Sequence, residues 1–116
     1  MPKPLTLLNR FDRLNRRHFK GRLKRPSMVR FSKQPDPDDP LAVGHTIMQD
    51  DGRVYIFIHE VLEPFTPLTD LVLVHELVHL QNLLRGVSRR DDDCLKLKSV
   101  HHRKMLSILA KEPVLC

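Results

Sequence analysis

The sequence predicts an α+β fold, a small three-stranded and mainly antiparallel sheet packed against three helices. Three observations carry this. Apolar residues recur at helical spacing near the start, between Pro64 and Gly86, and again after Val100. Between the first two lie short runs of alternating β-branched and aromatic residues, separated by Pro, Asp and Gly. The 116 residues, 41% of them hydrophobic, suffice for one core and not for two, so a single domain over 1–116 is expected.

From Pro4 to Lys20, Leu7, Leu8, Phe11, Leu14 and Phe19 mark one face of an amphipathic helix, with Gly21 as its stop. Arg10, Arg13, Arg16, Arg17 and Lys20 project onto the opposite arc, which predicts a basic stripe facing solvent. His18 falls among the apolar residues and is expected as a hydrogen-bonded core histidine rather than a ligand.

Met28 to Ser32 reads as a short strand entered through Pro26, and Gln34 to Pro40, dense in Pro and Asp, as a solvated loop. Two extended runs follow, Leu41 to Gln49 and Arg53 to His59, joined by Asp50-Asp51-Gly52 as a hairpin turn. In the second run Val54, Ile56 and Ile58 share one face and Tyr55, Phe57 and His59 the other, so both faces are expected to be covered. His45 and His59 have no partner spacing that points to a metal.

After Pro64, Thr66 suits an N-cap and Pro67 the first helical position, and the helix is expected to end near Arg85-Gly86. Only a wedge of Asp70, Val74, Gln81 and Arg85 is mostly polar, so the helix is predicted to be largely buried. Val87 to Cys94 reads as a surface loop. A last helix is expected from Val100 to about Lys111, ahead of Pro113.

The buried helix carries the chemistry. His75-Glu76-Leu77-Val78-His79 is an H-E-x-x-H pattern, which puts two imidazoles at i and i+4 on one helix face with a carboxylate beside them. Two nitrogens so spaced suit Zn²⁺, and a neighbouring carboxylate that does not ligate can take a proton from water. The plainer alternative is a buried helix holding two histidines by chance. Burying a glutamate and two histidines among Leu and Val without partners is costly, which favours the metal.

A catalytic zinc takes three protein ligands and keeps one position open. Downstream candidates are Asp91, Asp92, Asp93, Cys94, His101, His102 and Glu112. On the last helix His101 shares an arc with Met105, Ile108 and Leu109, which ranks it before His102 and both before the acids.

Composition bounds the rest. No apolar run approaches a membrane span, and the N-terminus has no signal-peptide core. Cys94 and Cys116 build no disulfide framework, in keeping with a reducing cytoplasm. The net charge is +6, and up to Lys33 there are eleven Lys or Arg against one acid. That basic end is either a contact for a nucleic-acid backbone or an ordinary solvated face.

Four pieces, in order, resemble the SprT-like zinc metalloprotease family, which includes the Spartan protease domain. Leu14-Asn15-Arg16-Arg17-His18-Phe19-Lys20-Gly21-Arg22-Leu23 is similar to the family's F-N-x-x-Y-F-x-G-x-L opening. Gly44 to Ile58 resembles its strand pair, His75 to His79 its active-site helix, and His101-His102-Arg103-Lys104-Met105 its later H-G-x-x-F element. His102 stands in place of the usual glycine and Met105 in place of the aromatic. The resemblance implies a zincin-like fold, zinc held by His75, His79 and His101, and Glu76 as catalytic acid/base of a metalloendopeptidase.

It further implies a protein or peptide substrate, one bound or crosslinked to DNA, with the basic first helix on phosphates. An extended peptide is expected to pair with the Arg53 to His59 strand, and Tyr55 or His102 to assist at the oxyanion. The family's zinc ribbon is not expected, since two cysteines cannot build one. The competing reading is a non-catalytic DNA-associated or interaction module with a structural zinc.

Overall fold

The computed structural model describes residues 6–87 and 100–109, with side chains for all of these except 100–102 and 109. Its elements are α1 (Leu7–Phe19), β1 (Met28–Ser32), β2 (Gly44–Met48), β3 (Val54–His59), a 3₁₀ turn (Glu60–Leu62), α2 (Thr66–Leu84) and α3 (Val100–Leu109). The result is a compact α+β domain with a three-stranded mixed sheet. None of its described helices is long and apolar enough to cross a membrane.

Thr6 starts α1, its hydroxyl accepting the Asn9 amide at 3.1 Å. Lys20 ends it in the left-handed region (φ 56°), followed by Gly21 at φ 72°. Asn15, buried one turn earlier, holds the returning chain by donating to the Leu23 carbonyl and accepting the Leu23 amide, each at 3.1 Å. This pins Leu23 into the core and gives the N-x-x-x-x-x-G-x-L spacing a physical reason.

The sheet order is β1-β3-β2. β3 pairs in parallel with β1 (Val29 opposite Ile56) and antiparallel with β2 (Thr46 opposite Ile56). The sheet is therefore evenly mixed rather than mainly antiparallel, because β1 joins β3 across a long connection and not through a hairpin. The Asp-Gly turn forms as expected, with Gly52 at φ 85° and its amide on the Gln49 carbonyl. β2 is shorter than the Leu41 to Gln49 run. Residues 36–42 are taken up by Asx-type bonds, Asp36 accepting the Asp38 amide and Asp39 the Leu41 amide, and Leu41 is 87% exposed.

Val54, Ile56 and Ile58 of β3 are fully buried with Phe11, Leu14, Phe19, Leu73, Leu77, Leu80 and Ile108 in one core. Tyr55, Phe57 and His59 are half-exposed, so only one face of β3 is fully covered. On the other face Arg30 stacks over the Phe57 ring at 5.5 Å.

α2 begins one residue earlier than its sequence signals, with Phe65 as a cap lacking a side-chain bond and Pro67 in the first turn. Thr69 ties that end down by donating to the Leu62 carbonyl at 2.7 Å. The polar wedge faces solvent only at its far end, where Gln81 is half-buried and Arg85 exposed; Asp70 and Val74 are buried. Asp70 receives Arg10 Nε at 2.8 Å and Arg13 at 3.1 Å, while Arg10 also donates to the Thr66 carbonyl. This corrects the basic stripe: Arg10 is buried and pins α1 to α2. Arg13 bridges the same carboxylate from an exposed position, and Arg16, Arg17 and Lys20 remain exposed.

α3 packs on α2 through Met105 and the buried Ile108. Lys104 reaches the end of α1, donating to the His18 carbonyl at 3.1 Å and lying 4.8 Å from the centre of the Phe19 ring. His18 is buried, as its place in the apolar arc predicts.

Candidate metal centre

α2 presents its motif as the i, i+4 geometry requires. The Nε2 atoms of His75 and His79 stand 3.1 Å apart, with ring centroids 4.8 Å apart and planes at 75°. Both side chains are half-buried, and Glu76 between them is 4% exposed. The donor atoms of His75, Glu76 and His79 lie within 4.8 Å of one another, so the three can hold a metal ion.

The sheet supplies the other wall. Thr46 of β2 donates its hydroxyl to Glu76 Oε1 at 2.8 Å. Two residues earlier, β2 passes so close to α2 that a Cβ on Gly44 would stand 2.8 Å from Glu76 Oε2 and 2.8 Å from Val72 Cγ1. Any larger residue at 44 would force the Glu76 or Val72 side chain to shift. The alternation of a strand places 44 and 46 on the face towards α2, and 45 on the other.

A cleft of 430 Å³ opens over the motif and runs round the edge of β2. His75, Glu76, His79 and Leu83 line it from α2, Thr46 and His45 from β2, and Asp36 and Asp39 from the loop before it. His45 Nδ1 lies 3.6 Å from an Asp36 carboxylate oxygen. Sequence reasoning set aside Asp36, Asp39 and His45 as a solvated loop and an ordinary histidine. No local signal marks them, since the register of β2 is what brings them to the motif.

Two expectations move. β3 cannot receive a peptide along its edge, because it is the central strand and is paired on both sides; β2 is the edge strand beside the cleft. Tyr55 is paired with Ile47 on the sheet face away from α2 and does not line the cleft. His59 has a structural task, its Nδ1 accepting the Val61 amide at 3.1 Å to start the 3₁₀ turn.

For the third ligand, residues 101 and 102 belong to the backbone of α3, but their side chains lie outside the described residues. Asp91, Asp92, Asp93, Cys94 and Glu112 lie wholly outside the described residues. No family model, curated protein or solved structure matches the chain.

Proposed function

We propose that the protein is a small zinc-dependent metalloendopeptidase of SprT-like, zincin-like type. The observation that carries this reading is the convergence of His75 Nε2 and His79 Nε2 to 3.1 Å in an open cleft, with the Glu76 carboxylate beside them. Two nitrogens each about 2.0–2.1 Å from one tetrahedral zinc stand about 3.3 Å apart, so the pair fits that ion with a small adjustment. His101 is the third ligand in this reading. On a helix, position 101 falls in the row of Met105 and Ile108, which pack inward, whereas position 102 precedes Leu106, which is 55% exposed.

His75, His79 and His101 would hold the zinc, which would supply Lewis acidity toward a peptide carbonyl and water. The chain's own residues do the rest. Glu76 accepts the water proton and delivers it to the leaving amine. Among the described residues no strand pairs with the outer edge of β2, which offers main-chain donors and acceptors to an extended peptide that would lie along the cleft past Thr46 and His45. The half-exposed histidines and the open cleft favour a catalytic site over a structural zinc, which is usually closed by four protein ligands.

The exposed Arg16, Lys20, Arg22 and Lys24 offer phosphate contacts and support a substrate associated with DNA. Chelation followed by zinc add-back tests the main reading. Peptidase activity on an unfolded protein should vanish and return, and His101→Ala should lose zinc while His102→Ala retains it. Full activity after exhaustive chelation would overturn it.

A further inference from the structure

Resting on the peptidase reading, we propose that Thr46 is a positioning residue for Glu76, so that the edge strand β2 sets the orientation of the proton-transfer carboxylate. The Thr46 hydroxyl has one proton and two acceptors near it, the Glu76 carboxylate at 2.8 Å and the Glu76 backbone carbonyl at 3.4 Å. In the short contact the Thr46 hydroxyl is the donor and Glu76 Oε1 the acceptor. Both ends of this contact are stiff. Thr46 is β-branched and lies in a strand paired to Ile56 of β3, which restricts its side chain. Glu76 is buried in the middle of α2.

The second oxygen lies close to the same strand. Oε2 lies against the bare Cα of Gly44, at a place where any Cβ would come within 2.8 Å of it. Consecutive inward positions of β2, 44 and 46, thus address the two oxygens of one carboxylate, one by close backbone approach and the other by a hydrogen bond. A glutamate has three rotatable bonds, and a proton acceptor works at hydrogen-bond distance from its donor. Holding its orientation before substrate arrives is the task assigned to Thr46.

The assignment also joins substrate docking to chemistry. β2 lines the cleft and is an edge strand among the described residues, so a peptide that pairs with it touches the strand that holds the carboxylate. The side chain of Thr46 contributes to the catalytic step through Glu76 and not through substrate binding. Its removal should therefore appear in kcat rather than in KM.

The test compares zinc-loaded wild type with Thr46→Val and Thr46→Ser in hydrolysis of a quenched fluorescent peptide, with zinc per chain measured on each sample. Valine keeps the shape and the strand preference and removes the hydroxyl; serine restores the hydroxyl. The expected result is a fall in kcat of about 10- to 100-fold for Thr46→Val, with KM and zinc content unchanged, and recovery to within a few fold in Thr46→Ser. Thr46→Cys against Thr46→Ser gives the same contrast, a weak donor against a strong one, should the valine variant fold poorly. An active wild type with Thr46→Val at the wild-type kcat, or with Thr46→Ser as impaired as Thr46→Val, overturns this assignment alone. A zinc-loaded wild type that cleaves nothing overturns the peptidase reading, and the assignment with it.

Discussion

Glu76 is only 4% exposed, and a carboxylate so buried is costly unless donors or positive charge surround it. Thr46 supplies a donor, and a cation between His75 and His79 would supply charge. A metal bound there would therefore be linked to folding. At a free zinc concentration 100 times its Kd, the ion should add about 2.7 kcal/mol to unfolding stability, and His79→Ala should remove most of that gain. Denaturant titrations with and without zinc read both; equal stabilisation of wild type and His79→Ala would place the ion elsewhere. A second residue-scale prediction concerns Asp51, whose carboxyl is held below its ordinary value first by the Arg53 backbone amide and then by the Arg53 side chain. Because the folded value is lowered, its contribution to stability is present above the unfolded value and is lost as pH falls through the folded one. Carboxyl chemical shifts in Arg53→Ala should titrate at higher pH than in wild type.

Among the elements, the joint between α1 and α2 includes a largely buried ion pair beside its apolar packing. Asp70 and Arg10 have side chains 11% and 10% exposed, at 2.7 Å. Removing one partner strands the other, so Asp70→Ala should cost about 3–5 kcal/mol in denaturant unfolding, while replacing both with apolar residues should recover much of it. A cost under about 1 kcal/mol would show that water reaches Arg10. This contact also explains a limit of the sequence reading. Helical projection assigned Arg10 to the arc opposite Leu7, Phe11 and Leu14, yet at about 100° per residue it lies only about 60° from Leu7 and about 40° from Leu14, at the edge of the apolar face. What it lacked was the carboxylate sixty positions away that draws the guanidinium inward. The helices themselves were legible because their signals are local: the apolar spacing of α1, Gly21 at its end, Gly86 after α2. Strand existence was legible too, with Met28–Ser32 and Val54–His59 found where alternation put them. Strand order was not, since nothing in β3 states that both of its edges are taken.

For the whole molecule, the same division holds at the site. His75, Glu76 and His79 were readable because the spacing that brings them together is one turn of a helix. Gly44, Thr46, His45, Asp36 and Asp39 join them through the register of β2, a non-local fact that no short pattern encodes. The basic surface divides as well, with Arg10 spent on internal contact and Arg16, Lys20, Arg22 and Lys24 left on the outside. If those residues meet DNA, affinity should fall steeply with salt, and the triple variant Arg16→Ala, Lys20→Ala, Arg22→Ala should flatten the plot of log K against log salt by up to about three units on duplex DNA. Fluorescence anisotropy at several salt concentrations measures it; an unchanged slope would remove α1 and its following turn from the interface.

The most direct measurement is hydrolysis of an unfolded protein by wild type and Glu76→Gln, both carrying one zinc per chain. The peptidase account predicts that wild type cleaves and that Glu76→Gln loses activity by about 100-fold or more with its zinc and fold intact. Equal rates for the two, or a zinc-loaded wild type that cleaves nothing, would contradict it.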